Sequence, residues 1–153
     1  MIIAPKSKLL KQRQGNAPTI VQILPAMVRG GVERGTVEMA DAVQKHGGRA
    51  IVISRGGPMV RHLDRLGATH YQLDVHTKNP FRWPQVRRRL KAILSRENAD
   101  LVHVRSRVPA WIALPAAAEL GIATVSTVHG RFITPSALKR IYNRKLLKTD
   151  HVI

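Results

Sequence analysis

The sequence predicts an α/β fold in which a mostly parallel sheet lies between two layers of helices, a three-layer α/β/α arrangement. Short apolar stretches alternate with longer amphipathic ones, which is the pattern of strand–helix–strand units. The first unit, residues 20–43, joins an apolar run, a glycine-containing loop and a helical pattern. The chain has 153 residues, of which 44% are hydrophobic, so it can bury the core of one such domain.

The loop of this first unit is the most informative stretch of the chain. Gly30, Gly31 and Gly35 are spaced as Gly-Gly-x-x-x-Gly, which is neither the dinucleotide fingerprint nor a P-loop with its Lys-Ser/Thr pair. Backbone N–H groups at a helix start favour anions, so the loop suits a phosphate. The simpler interpretation is that two glycines turn the chain and Gly35 lets the helix lie close to the sheet. The spacing alone favours the simpler interpretation.

The strands and helices follow in a regular order. Strands are predicted over residues 20–24, 49–54, 69–73, 100–104 and 122–128, and the start of a sixth over 150–153. Helices are predicted over residues 32–43, 58–66, 81–97 and 109–120, with a last one after Thr134-Pro135. Pro115 should kink or split its helix, because proline lacks an N–H. We expect the last helix to turn inward Leu138, Ile141, Tyr142 and Leu146.

Candidate site residues come from the carboxyl ends of the predicted strands, which line the binding crevice of a parallel sheet. They are Gly30, Gly31, Lys78, Asn79, Arg105, Ser106, His129, Gly130 and Arg131. Several of them are basic, so the crevice suits a phosphorylated or otherwise acidic ligand.

Positive charge is the dominant bulk property of the chain. Lys and Arg number 26 against nine acidic residues, a net charge of +17, and such a surface attracts polyanions. Much of this charge lies on the predicted helix over residues 81–97. That helix is either a solvated outer helix or one that rests on an anionic membrane or on nucleic acid. Its candidate membrane-facing residues are Arg82, Arg87, Arg88, Arg89 and Lys91.

Other classes of function have little support in the sequence. Absence of cysteine excludes disulfides and thiol nucleophiles, and the seven scattered histidines form no zinc motif, so we expect no metal. A nucleic-acid-binding module remains the alternative, although six aromatic residues offer few stacking platforms. No apolar run approaches the roughly 20 residues of a membrane span. Residues 1–17 read as a flexible basic lead-in, since a signal peptide places its basic part first.

Four stretches together resemble the amino-terminal half of family 4 glycosyltransferases, which are retaining enzymes of the GT-B fold. They are residues 22–35, 100–107, 127–131 and 150–153, and the resemblance extends over about residues 19–153. It implies a Rossmann-like domain that holds the acceptor, often a lipid-linked or lipopolysaccharide sugar, at the cytoplasmic face of a membrane. The donor is a nucleotide sugar, and no separate cofactor is expected.

The resemblance also implies roles for single residues. Gly30 and Gly31 would lie beneath the donor phosphates, His129 near the reacting sugar, and Arg105 and Ser106 in the same cleft. From the residues alone, His129 is equally explained as a structural histidine at a strand end, and Arg105 as surface charge.

Family members carry a second Rossmann-like domain that binds the nucleotide sugar, and residues 18–153 contain no counterpart to it. We therefore expect a domain truncated in its sixth strand that has little or no transferase activity alone, because transfer needs donor and acceptor in one geometry. A non-catalytic partner of a separately encoded donor-binding domain is the further alternative.

Overall fold

The protein is described by a computed structural model that covers residues 17–129 and 136–153. The strands are β1 (Thr19–Ile23), β2 (Arg49–Ser54), β3 (Thr69–Gln72), β4 (Leu101–Val104), β5 (Ala123–Ser126) and β6 (His151–Val152). They form one sheet in the order β3-β2-β1-β4-β5-β6, and every pairing is parallel. The chain moves outward from β1 to β3 and then returns to β4, so the strand order reverses between β1 and β4. The predicted lead-in, apart from Ala17, lies outside the described residues.

Helices cover both faces of this sheet. They are α1 (Gly31–Lys45), α2 (Val60–Arg65), α3 (Trp83–Arg96), α4 (Arg107–Leu120) and α5 (Ala137–Arg144), with 3₁₀ turns over Pro80–Arg82 and Lys145–Lys148. The alternation along β2 shows the layering. Ala50 and Val52 pack in the core beneath α1 and α2, whereas Ile51 and Ile53 pack in the core beneath α3 and α4. The predicted α/β/α architecture is confirmed.

The third helix begins two residues later than predicted. Asn79 Oδ1 accepts a hydrogen bond from the Phe81 N–H at 3.0 Å, and this contact starts a 3₁₀ turn that leads into α3 at Trp83. The predicted apolar stripe is confirmed, since Val86, Leu90 and Leu94 are buried against the sheet. The stripe is therefore the face that fixes the helix, and its basic residues lie around the remaining circumference.

The last two helices differ from the prediction. Helix α4 runs continuously through Pro115, so of the two predicted effects, a kink or a split, the split does not occur. In α5, Ile141 is 61% exposed, and the prediction that it faces inward is wrong. The buried residues are Asn143, which accepts a hydrogen bond from Arg107, and Leu146 in the turn that follows. Since residues 141 and 143 point about 200° apart on a helix, burying the second exposes the first. Thr134-Pro135 and the side chains of Leu138 and Tyr142 lie outside the described part.

Candidate active site

Three adjacent central strands bring most of the predicted site residues together. Gly30 and Gly31 follow β1, Ser106 follows β4, and His129 follows β5, all at the carboxyl edge of the sheet. Because neighbouring strands lie about 4.8 Å apart, these loops gather within a few strand widths of the point where the strand order reverses. Gly130 and Arg131 lie outside the described residues.

Lys78 and Asn79 do not belong to this group. They follow β3, which is an edge strand separated from β1 by β2. Asn79 is engaged locally, since its side chain accepts from Phe81 and its N–H points to Thr77 Oγ1 at 3.4 Å. The sequence does not reveal this separation, because it does not give the order of the strands in the sheet. Without that order, every strand end is a candidate for lining the crevice.

The two glycines of the first loop differ in their surroundings. A Cβ built on Gly30 would lie 2.5 Å from Glu33 Oε2, so the carboxylate of the first helical turn occupies that space. A Cβ built on Gly31 would meet nothing within 4 Å. Gly31 therefore presents bare backbone at the start of α1, where a ligand can approach the chain closely.

Arg105 is buried rather than free in the crevice. Only 7% of it is exposed, its Nε donates to Gln22 Oε1 at 2.9 Å, and its Nη2 donates to the Gly35 carbonyl at 3.2 Å. A Cβ at Gly35 would come within 3.3 Å of the guanidinium, so this glycine makes room for it. The interpretation of Arg105 as surface charge is wrong. Burial lowers the pKa of the Arg105 guanidinium, since the charged form loses its hydration.

Gln22 extends this buried polar network and was not predicted as a functional residue. It is 1% exposed, and its Nε2 donates to the Thr36 carbonyl of α1 at 3.0 Å. The network thus ties β1, β4 and α1 together directly beneath the glycine loop. The available signal was a lone amide in the apolar run of residues 20–24.

His103 is a second buried polar residue that the sequence reasoning missed. It lies on β4 with 3% of its surface exposed, and its Nε2 is 2.7 Å from Thr127 Oγ1. Burial, together with the nearby charges of Arg105 and His129, lowers the pKa of His103 to about 4. The ring is therefore neutral at physiological pH. A histidine within the apolar strand 101–104 was the signal that could have found it.

His129 and Ser106 provide the accessible polar groups of the crevice. His129 is exposed at the end of β5, close enough to His103 for their charges to interact. Ser106 is half-buried at the start of α4, and within the described chain its hydroxyl makes no capping hydrogen bond to that helix. An imidazole and a hydroxyl beside bare glycine backbone can bind and orient the hydroxyl and phosphate groups of a ligand.

Some of the basic side chains of helix α3 form ion pairs with the neighbouring helix α4. Arg87 and Lys91 both reach Glu119 of α4, at 3.6 and 2.5 Å. Arg82, Arg88 and Arg89 are exposed. Phe81, next to the first of these, is 91% exposed at the start of the helix. The candidate membrane surface is thus a cation cluster with one apolar side chain at its end, and two of the five predicted cations pair with α4.

Among residues 17–129 and 136–153, no group of three His, Cys, Asp or Glu side chains is placed to hold a metal ion. In the same ranges, none of the helices is both long enough and apolar enough to cross a membrane.

Comparison with known proteins identifies the family. The sequence profile of Glycosyltransferase Family 4 matches residues 29–153. Among curated proteins nothing matches the chain. A solved glycosyltransferase from Rickettsia africae ESF-5 is 38% identical, with a TM-score of 0.74 over 87% of this chain and 35% of that one.

Two more distant structures share the fold. MurG of Acinetobacter baumannii has a TM-score of 0.63 at 17% identity, and the match covers 86% of this chain and 39% of MurG. Anabaena Alr3699/HepE, solved in complex with UDP-glucose, has a TM-score of 0.66 at 15% identity, and 86% of this chain covers 35% of it. The chain therefore spans little more than a third of the length of the structures that it matches. With its Rossmann-like sheet and the profile match over most of its length, the chain belongs to glycosyltransferase family 4.

Proposed function

We propose that this chain is the acceptor-side half of a retaining glycosyltransferase that moves a hexosyl group from a nucleotide sugar to a glycan or glycolipid. The observation that carries the proposal is the family match over residues 29–153 together with the gathering of Gly31, Ser106 and His129 at the switch point of the sheet. Ligands of open α/β sheets bind at such a point.

In the proposed reaction the bond between the anomeric carbon of the donor sugar and the nucleotide phosphate breaks. A bond to an acceptor hydroxyl oxygen forms, the nucleoside diphosphate leaves, and the acceptor proton passes to base or solvent. His129 would touch the transferred sugar, and the bare backbone at Gly31 would lie beneath the donor phosphates. The buried Gln22–Arg105 network holds α1 against β4 and so fixes the loop on which those phosphates would rest.

A chimera tests this proposal. Residues 18–153 are joined to the remaining portion of the Rickettsia africae glycosyltransferase, and release of UDP from UDP-glucose is measured with the chimera and with residues 1–153 alone. We expect turnover by the chimera, and none by the single half, since transfer requires both ligands held in one geometry. The His129→Ala chimera should lose about 100-fold or more, a typical loss for a side chain that acts at the reacting atoms.

Two results would contradict the proposal. Turnover by residues 1–153 alone at an ordinary enzyme rate would show that this chain is not a half-site. A folded chimera that releases no nucleotide, and that binds UDP-glucose no better than the donor portion alone, would show that the chain adds nothing to the reaction.

The proposal includes contact with an anionic membrane through the start of α3. Phe81 is almost fully exposed beside Arg82, with Arg88 and Arg89 on the same helix. An apolar side chain flanked by cations suits the boundary between head groups and acyl chains. Sedimentation with phosphatidylglycerol vesicles should deplete the protein, and neutral phosphatidylcholine vesicles should not. Equal binding to both, or unchanged binding by Phe81→Ala, would contradict this contact.

A further inference from the structure

A basic groove lies between α1 and α2, on the side of the glycine loop opposite to His129. It has a volume of about 470 Å³, within the range of small-molecule sites. Its walls come from the loop after β1, the first turns of α1, and α2. They carry four basic side chains: Arg29, Arg34, Arg61 and His62. Val28 and Met59 add apolar surface between them.

The backbone beneath this groove is fixed before any ligand arrives. The loops after β1 and β2 are joined by three backbone hydrogen bonds, from Arg55 N to Pro25 O, from Met27 N to Gly56 O and from Met59 N to Met27 O. Gly57 has a φ of 145° and lies against the Met27 carbonyl, which a Cβ would approach to 2.4 Å. Two loops held this closely form a platform that costs little to order on binding.

Within the part of the chain that the structure describes, no ion pair neutralises the arginines of the groove. In residues 17–129 and 136–153, the ion pairs involve Asp41, Glu97 and Glu119, and none includes Arg29, Arg34 or Arg61. Glu33 is an acidic residue next to the groove, with its carboxylate beside Gly30. Guanidinium groups bind phosphate in a bidentate manner, so three of them lining one groove favour a phosphate ester over a carboxylate or a neutral sugar.

We propose that this groove, formed by Arg29, Arg34, Arg61 and His62, binds a phosphate group carried by the acceptor substrate. The inference rests on the proposed function, in which this half of the enzyme holds the acceptor. The groove lies between the ends of β1 and β2, and His129 follows β5, so the two are about 10–15 Å apart across the sheet edge. An acceptor that reaches both is longer than one hexose, and its phosphate anchors it at the end away from the reacting hydroxyl.

Paired variants of the whole chain test the groove. The double variant Arg34→Gln/Arg61→Gln removes two groove cations. The control Arg65→Gln/Arg144→Gln removes the same charge from exposed positions on α2 and α5 that do not line the groove. Binding of glucose 6-phosphate is measured by calorimetry, with glucose as the uncharged control, and circular dichroism checks that each variant is folded.

We expect the groove variant to bind glucose 6-phosphate at least tenfold more weakly than the parent, the control variant to change by less than twofold, and glucose not to bind. Glu33→Gln should bind more tightly, because it removes the neighbouring negative charge. Equal losses in both double variants would overturn the proposal, since they would mean that net charge alone attracts the anion.

Phosphatidylglycerol vesicles distinguish the two sources of phosphate. If Arg34→Gln/Arg61→Gln weakens vesicle binding as strongly as it weakens glucose 6-phosphate binding, the phosphate belongs to a lipid-linked acceptor. If only the sugar phosphate responds, it belongs to a soluble one. Both measurements use this chain without a donor domain. The chimera separates the two proposals. If its groove binds glucose 6-phosphate but the chimera shows no turnover, the proposed function is contradicted. If the chimera turns over and its groove variant still binds glucose 6-phosphate normally, the phosphate site is contradicted.

Discussion

At the scale of single residues, the crevice rests on charged and polar groups that are buried. Arg105 donates hydrogen bonds to two neutral acceptors, the Gln22 amide oxygen and the Gly35 carbonyl. Such an arrangement gains hydrogen bonds to neutral acceptors and loses hydration of the charge. The sign of its net contribution to the free energy of unfolding depends on whether the hydrogen bonds or the lost hydration is larger.

Replacing Arg105 by Met should destabilise the fold by about 1–3 kcal/mol. The change removes the desolvated charge, but it leaves the buried Gln22 amide oxygen without its donor, and such a loss costs about 1–3 kcal/mol. The Gly35 carbonyl keeps its hydrogen bond within helix α1. The measurement is urea unfolding followed by circular dichroism. Arg88→Met, at an exposed position on α3, is the control and should change stability by less than about 0.5 kcal/mol. An Arg105→Met protein as stable as the parent would show that the guanidinium serves a ligand rather than the fold.

His103 should make stability depend on pH. Its pKa is about 4 in the folded protein and near 6.5 in the unfolded chain, so the unfolded chain binds the proton first as the pH falls. The contribution of the neutral ring is complete above pH 6.5 and is lost progressively toward pH 4. Urea unfolding at pH 7, 5.5 and 4.5 measures this loss. From pH 7 to 4.5, the free energy of unfolding of His103→Asn should fall by about 1–3 kcal/mol less than that of the parent.

The same comparison has an internal control. His70 and His76 also have pKa values lowered by burial, and they remain in both proteins, so the difference between the two pH profiles isolates His103. Parallel profiles for the parent and the variant would contradict the assignment of a neutral buried ring.

At the scale of elements, close backbone approaches decide where loops and helices lie. Gly57 has a left-handed φ and faces the Met27 carbonyl, and this contact joins the loops after β1 and β2. At the start of α3, the Asn79 cap and the hydrogen bond from Trp83 Nε1 to the Thr77 carbonyl fix the chain between β3 and the helix. The stack of Trp83 on Trp111, with ring centroids 6.2 Å apart, then joins α3 to α4.

Gly57→Ala should cost several times more stability than Gly31→Ala. At position 57 a methyl group meets backbone 2.4 Å away in a strained conformation, so a loss of about 2 kcal/mol or more is expected. At position 31 it meets nothing within 4 Å, and alanine favours the first turn of α1, so the change should be within about 0.5 kcal/mol of zero. Thermal unfolding of both variants measures the difference, and equal values would contradict the close contact of the two loops.

At the scale of the whole molecule, net charge opposes the compact state. A charge of +17 on 153 residues repels itself, and few of the cations in the described chain are paired with acids. The strand order adds a second consequence, because it places the basic groove and His129 on opposite sides of the loop after β1. Both consequences are properties of the assembled sheet, and no single element carries them.

Raising salt should therefore stabilise the protein. Between about 20 and 500 mM NaCl the Debye length falls from roughly 20 to 4 Å, so repulsion between surface cations is screened. We expect the midpoint of thermal unfolding to rise by several degrees. Sodium phosphate at equal ionic strength should raise it further in the parent than in Arg34→Gln/Arg61→Gln. A midpoint that falls with salt would show that ion pairs outweigh repulsion.

The sequence by itself determined the class of fold, the number and order of the strands and helices, and the family. These follow from local patterns, namely the alternation of apolar runs with helical periodicity, the glycines after β1, and the motifs at the strand ends. The stripe that fixes α3 was also predictable, since residues 86, 90 and 94 repeat at helical spacing. The exposure of Ile141 was not predictable, because the buried contacts of α5 and the following turn are with α4, far away in the chain.

Only the tertiary structure decided which of these residues meet. The strand order gathers Gly31, Ser106 and His129 and moves Lys78 and Asn79 to an edge, and no local pattern encodes that order. The same holds for the hydrogen bond between Gln22 and Arg105, which joins residues 83 positions apart. Propensity acts over a few neighbouring residues, whereas the burial of a charge or the walls of a groove depend on how distant strands align. The phosphate-binding surface proposed here therefore became visible only once the sheet was assembled.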